Sequence, residues 1–200
     1  MASDQKLLHA WRAGDRRAGS ELFARHFDGV YRFFLNKVDG GVEDLVQRTF
    51  VACVEGRDRF REEASFRTYL FAIAHNLLKV HLRTTARSRR QDFERDSLVD
   101  LGAGPPTIVG ACEEERLVVH ALRKIPIESQ VLLELFYWED LGVADIAVAM
   151  DVPVGTAATR LRRARQLLEA EMVALAGDAA LRDAVAGGFE TWARALRAQR

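Results

Sequence analysis

Cysteine is scarce in this chain. Only Cys53 and Cys112 occur in 200 residues. They form no CxxC pair and belong to no close Cys/His cluster, so both read as structural thiols rather than zinc ligands. His75 and His81 stand six residues apart, a spacing that does not put them on one helical face. No apolar run approaches the length needed to span a bilayer, and no secretory signal opens the sequence, so a cytoplasmic chain with no membrane contact is expected. No charge sign is in excess: 29 basic residues face 29 acidic ones. Any affinity for a polyanion must therefore come from local patches and should be weak without a partner. Also missing are a phosphate-binding glycine loop, clustered metal ligands and a nucleophile motif, so neither an enzyme nor a cofactor is implied. Alternating strand patterns are scarce, which leaves an all-α fold.

What is present is most informative between Leu141 and Arg165. Ile146, Ala149 and Met150 recur at helical spacing, and Ala147 is small enough to let a second helix cross closely. Asp151 lies where such turns need a left-handed residue, which Asp tolerates. Pro153 suits the chain at or just before the first position of the next helix, and Thr156 falls in its opening turn. Leu161, Ala164, Leu167 and Leu168 form an inward stripe, turning Ala158, Thr159, Arg162, Arg163 and Arg165 to other faces. The second helix, starting near Pro153, carries arginines but no acid through Arg165. It reads as a helix-turn-helix with a basic recognition helix.

The remaining pattern is helical in two halves. A helix is expected from about Asp4 to Ala13, capped by Ser3 and stopped by Gly14. A longer one, from about Arg16 to Val38, carries a stripe of Phe23, Phe27, Val30, Phe34 and Val38. From Val42 to Glu55, Val46, Phe50 and Val54 face inward and Glu43, Asp44, Gln47 and Arg48 outward. Ser65 can cap a helix whose buried face is Phe66, Leu70, Ile73, Leu77 and Val80, running into a basic segment of Arg83, Arg87, Arg89 and Arg90. Periodicity fades from Gln91 to Cys112, where Gly102-Ala103-Gly104-Pro105-Pro106 cannot continue a helix. Helices from about Glu113 to Lys124 and Glu128 to Trp138, separated by Pro126, precede the helix-turn-helix. A tail from Leu181 places Val185, Phe189, Trp192 and Leu196 at helical spacing, so it should pack on the body or on a partner. The expected organisation is a domain over 1–90, a flexible linker over 91–112, a helix-turn-helix domain over 113–176 and a helical extension over 177–200.

Three blocks taken together, Val42 to Phe50, Phe60 to Asn76 and Ile125 to Arg165, resemble the bacterial RNA polymerase sigma factors of the two-domain, extracytoplasmic-function type. For the first block the resemblance implies docking on core polymerase through Asp44, Leu45, Gln47, Arg48 and Phe50; Arg48 stands where the family usually has an acid. For the second it implies recognition and melting of the minus-ten element. The loop Arg61 to Ser65 would hold an unpaired base, with Asn76 at the base edge and Arg67, Lys79 and Arg83 nearby. Asn suits that role because it donates and accepts at once. Phe66 reads as core, Tyr69 and Phe71 are open between core and site, and His75 replaces a common family arginine.

For the third block the resemblance implies reading of the minus-thirty-five element in the major groove by Thr156, Thr159, Arg160, Arg162 and Arg163. A bidentate arginine to guanine contributes about 1–3 kcal/mol of discrimination. Ala158 occupies a position where the family often has a basic residue. The acidic linker residues Asp92, Glu94, Asp96 and Asp100 would thread near the polymerase cleft. The partners so implied are core RNA polymerase, promoter DNA as duplex and melted strand, and an anti-sigma protein that clamps the two domains. A helix-turn-helix regulator that works without polymerase is the alternative; the Asp44 block and the melting loop speak against it, because a plain repressor needs neither.

Overall fold

A computed structural model describes residues 2–35, 37–93 and 113–175, with side chains described as far as 87 in the second stretch and from 118 in the third. The expected tail, the Gln91–Cys112 linker beyond Phe93, and Cys112 lie outside the described residues. Among those described, every regular element is a helix and none is a strand. The chain divides between Pro105 and Pro106 into two compact units.

The first unit contains α1 (Asp4–Arg12), α2 (Arg16–Leu35), α3 (Val42–Gly56) and α4 (Phe66–Phe93). Ser3 caps α1, its hydroxyl accepting the Lys6 N–H at 3.4 Å. Gly14, at φ +103°, turns the chain into α2 in a conformation that a side chain would resist. Helices α1 and α2 then approach so closely that a β-carbon on Gly19 would lie 2.6 Å from the Trp11 ring. Leu8, Leu22, Val30, Phe33, Phe34, Leu45, Leu70, Phe71 and Leu78 fill the core.

In three of these helices the buried face differs from the stripe of large apolar residues. On α2 it includes Gly19, His26 and Gly29, which rotates the core line so that Phe27 is 46% exposed, and the helix ends at Leu35 rather than Val38. On α3 it runs Val42, Leu45, Val46, Thr49 and Cys53, leaving Val54 exposed and Phe50 half-buried. On α4 it runs Phe66, Leu70, Phe71, Ala74, His75 and Leu78, leaving Val80 exposed. On α2 and α3 close helix contacts select small or hydrogen-bonded residues, which a search for large apolar side chains overlooks, whereas on α4 the buried line passes through Phe71 and Leu78 instead of Val80. Thr49, for example, satisfies its buried hydroxyl by donating to the Leu45 carbonyl at 2.7 Å.

The second unit contains α5 (Glu113–Lys124), α6 (Ile127–Tyr137), α7 (Val143–Met150) and α8 (Val154–Leu175). Pro126 precedes α6 with its carbonyl accepting from Gln130 N–H at 3.1 Å, and the Gln130 side chain in turn donates to the Ile125 carbonyl at 3.0 Å. Val118, Leu122, Val131, Leu132, Leu135, Ile146, Ala149, Met150, Ala157, Leu161, Ala164, Leu168 and Met172 are buried between the four helices.

Candidate nucleic-acid interface

The helix-turn-helix is built as its sequence requires. Asp151 ends α7 in the left-handed region, at φ 54°, with its N–H on the Ala147 and Val148 carbonyls. Ala147 and Ala157 are buried where the helices cross, so their small side chains set the approach. The Pro153 carbonyl accepts the Ala157 N–H at 3.0 Å in the first turn of α8. That packing leaves Ala158, Thr159, Arg160, Arg162 and Arg163 exposed, with Thr156 half-buried. Arg165 is different. Its guanidinium lies 4.7 Å from the Phe136 ring centre and 5.5 Å from that of Tyr137, so it packs α8 on α6 instead of presenting itself to a polyanion. The expectation that Arg165 stands with the outward arginines is corrected accordingly.

In the first unit the loop between α3 and α4 carries the second cluster. Ser65 caps α4, its hydroxyl accepting the Thr68 N–H at 3.0 Å. Arg61, Ser65, Asn76 and Arg83 are exposed, and Arg67 and Lys79 half-buried. Asn76, Lys79 and Arg83, spaced by three and four, line one face of α4. His75, one turn before Lys79, is turned into the core and buried, so it has no direct path to a nucleic-acid backbone. Phe71 is core, as is Phe66, whereas Tyr69 is half-buried and stacks on Phe60 with ring centres 4.4 Å apart. A β-carbon on Gly56 would collide with the Tyr69 hydroxyl, so the end of α3 is shaped around that ring.

Four residues of this loop region went unread in the sequence. Gln5, His9 and Arg12 of α1 converge on Glu62, which adopts φ 58°, a left-handed conformation unusual for a residue with a side chain. The partial desolvation of its carboxyl opposes ionisation, but hydrogen bonds from His9 and Gln5 and the Arg12 charge outweigh it and hold Glu62 below the usual carboxylate range. No local signal announces this cluster, because Glu62 lies fifty or more positions along the chain from each of its three partners on α1.

On α3, Asp44, Gln47 and Arg48 are exposed beside Glu43. Asp44 and Arg48 pair at 3.5 Å in the open, a contact that adds little to stability and leaves both available to a partner. Leu45 is 1% exposed and belongs to the core, which corrects its place among the outward residues of α3: its side chain orients the helix from within. Phe50 sits at the edge of an aromatic row, 4.9 Å from Phe23 and 6.2 Å from Phe27 between ring centres. Cys53, fully buried behind this surface, is a free thiol whose pKa burial pushes up to about 12, so it stays protonated and inert. Among the described residues no His, Cys, Asp and Glu are grouped as a metal site would need, and no helix is long and apolar enough to cross a membrane.

Comparison with known proteins agrees with this geometry. The Sigma-70 region 2 family profile matches residues 22–88, and the Sigma-70 region 4 profile matches residues 115–168. The ECF RNA polymerase sigma-E factor of Haemophilus influenzae is 30% identical over 179 residues, covering 84% of this chain and 94% of that protein. The sigma-E factor of Escherichia coli K12 is 28% identical over 179 residues, covering 84% and 93%. In fold, the chain is similar to the sigma factor RpoE solved with the anti-sigma factor NepR from Bartonella quintana, with a TM-score of 0.63 at 20% identity over 78% of this chain and 96% of that one. It is equally similar to CnrH solved with the cytosolic domain of CnrY, with a TM-score of 0.63 at 24% identity over 86% and 99%. With a helix-turn-helix in one unit, an exposed acidic helix face in the other and relatives over nearly their whole length, the chain belongs to the extracytoplasmic-function sigma factors of the sigma-70 family, promoter-specificity subunits of bacterial RNA polymerase.

Proposed function

We propose that three separate surfaces carry this activity. Asp44, Gln47, Arg48 and Phe50 on α3 dock on core polymerase. Arg61, Ser65 and Arg67 with Asn76, Lys79 and Arg83 on α4 take the melted minus-ten strand. Thr156, Thr159, Arg160, Arg162 and Arg163 on α8 read the minus-thirty-five duplex. The protein performs no chemistry of its own and works in the cytoplasm, where polymerase and promoter meet. Residues 1–90 then serve core and minus-ten binding, and 113–176 serve minus-thirty-five binding.

The observation that carries this reading is the division of labour among the arginines of α8. Arg160, Arg162 and Arg163 are exposed with no intramolecular task visible, whereas Arg165 is spent on aromatic packing. A helix that holds one arginine for its own fold and offers three outward suits phosphate and guanine contacts. An anti-sigma protein is proposed as a further partner, since the similar sigma factor RpoE was solved bound to the anti-sigma factor NepR. Such an inhibitor would cover the α3 surface and the α8 surface together.

The experiment is co-elution of the purified chain with bacterial core polymerase, followed by transcription from a library of promoter fragments. Complex formation with selective initiation is the expected result. Asp44→Arg is expected to weaken core binding about a hundredfold while leaving the helical signal intact, because like charges at a complementary interface are strongly unfavourable. An Asp44→Arg protein that co-elutes as the unaltered one does would remove α3 from the polymerase interface.

A further inference from the structure

The loop between α3 and α4 has no secondary structure over most of residues 57–65, yet its backbone oxygens are engaged. The group that engages them is Arg12. Its Nε and one Nη donate to the Arg57 carbonyl at 3.0 and 2.7 Å, that Nη also donates to the Phe60 carbonyl, and the other Nη donates to the Glu62 carboxylate. His9 Nε2 lies 2.9 Å from the same carboxylate, and the Gln5 amide donates to it at 3.4 Å. Gln5, His9 and Arg12 share one face of α1. On the other side, Phe60 is stacked against Tyr69 of α4, with the Arg12 guanidinium 5.9 Å from its ring centre. Glu62 is thus held inward at a left-handed φ, while its neighbours Arg61 and Glu63 point out, 84% and 79% exposed.

We propose that Arg12 is the positioning residue of the promoter-melting loop, so that α1, which lies before the part of the chain matching region 2, belongs to the machinery that opens DNA. This rests on the reading of Arg61 to Ser65 as the pocket for an unpaired base. A pocket that captures one base as it leaves the stack gains from being formed beforehand, because a loop that must be ordered at that moment gives up part of the binding free energy. Arg12 is suited to this by geometry. Its planar fork meets two carbonyls and a carboxylate at once, which the point charge of a lysine does not reproduce. Its own side chain is only 22% exposed and its donors are occupied inside the protein, so a direct phosphate contact is not its role.

The distinction gives the test. Full-length Arg12→Lys, Arg12→Ala and Glu62→Gln proteins are assembled with core polymerase. Their co-elution is compared, together with permanganate reactivity of the bubble and selection from a randomised minus-ten element. The Arg61→Ala, Ser65→Ala double variant is the reference for loss of the pocket itself. All three single variants are expected to co-elute as the unaltered protein does. Arg12→Lys and Arg12→Ala should open the promoter roughly tenfold less and select the minus-ten sequence less sharply, with a smaller loss for Glu62→Gln. Should Arg12→Ala fail to fold, Arg12→Lys and Glu62→Gln decide. Unaltered opening and selection by Arg12→Lys, where the double variant is impaired, would overturn the role of the guanidinium fork. Unaltered behaviour of both would show instead that the loop is not the base pocket. Loss of co-elution by Arg12→Lys and Glu62→Gln alike would reduce Arg12 to a fold residue and overturn the inference.

Discussion

The two surfaces proposed to meet nucleic acid are constructed from different physics. In the second unit the surface is one side of a regular helix, whose backbone is satisfied internally and whose orientation comes from apolar packing of Ala157, Leu161, Ala164 and Leu168. In the first unit one face of α4 is joined by a loop that is held by polar contacts to Arg12 and by one aromatic stack. The difference follows the tasks proposed for them. A duplex presents a fixed groove, which a rigid helix can enter with side chains already aimed. An unpaired base needs a concave site, and concavity requires irregular backbone whose carbonyls must then find donors elsewhere.

The comparison can be broken most forcefully through the cores. Leu168→Ala removes a fully buried side chain of α8 and should cost the second unit about 2–5 kcal/mol. Calorimetry is expected to show the second unit melting earlier with the first unchanged, and duplex binding falling accordingly. A single transition that moves as a whole would mean that the units are not independent in stability. In the first unit, Gly19→Ala forces a methyl against the Trp11 ring and should destabilise by about 1–3 kcal/mol, read as a lower urea midpoint.

A sharper contrast lies within α8 itself. Arg163→Ala should relax preference at one upstream base pair by about 1–3 kcal/mol and leave the melting temperature alone. Arg165→Ala should lose about 0.5–2 kcal/mol of stability, because its guanidinium packs on Phe136 and Tyr137, and leave base preference unchanged. Selection from a randomised upstream element and thermal melting of both proteins would test the pair; exchanged phenotypes would reverse the roles assigned here.

The smallest effect expected is one of pH, again confined to one unit. His26 is buried against Phe66 and lies 2.7 Å from Asp4, which also binds Arg25 at 2.9 Å. Burial lowers the His26 pKa, with nearby Arg67 and Arg25 acting in the same direction and Asp4 opposing them. For Asp4, burial acts to raise the pKa, but His26 and Arg25 outweigh it and hold it low. Both depressed values have one consequence. The unfolded chain binds more protons than the folded one, first at His26 as pH falls below its unfolded value, then at Asp4 at lower pH. The first unit should therefore lose stability modestly between about pH 7.5 and about pH 5.5 and further below about pH 4. Urea midpoints of the two transitions across this range measure it, and a midpoint that rises on acidification would show that the Asp4 attraction dominates at His26.

Much of this was legible beforehand, for identifiable reasons. Ser3, Gly14 and Ser65 mark helix ends through local hydrogen bonding and φ preference, and each operates where the chain pattern put it. The helix-turn-helix was readable because its turn, its small crossing residues and its outward arginines all fall within a short window. Leu45 was misplaced because a motif shared with a family does not separate the residues that face outward from those that orient the helix from within. Arg165 was misjudged because helical spacing alone cannot reveal aromatic rings on another helix.

What the amino-acid order determined by itself was therefore what depends on neighbours along the chain: helix type, the capped helix starts at Ser3 and Ser65, the left-handed turn at Asp151, the two-part organisation and the kinship of its motifs. Only the tertiary structure decided which face of each helix is buried, that Arg165 belongs to packing, and that Arg12 holds a loop some fifty positions away through the Arg57 and Phe60 carbonyls and the Glu62 carboxylate. The physical reason is range. Propensity, capping and periodicity act within a turn or two, whereas the partner of a buried glycine, histidine or arginine is chosen by which helix happens to pack against it.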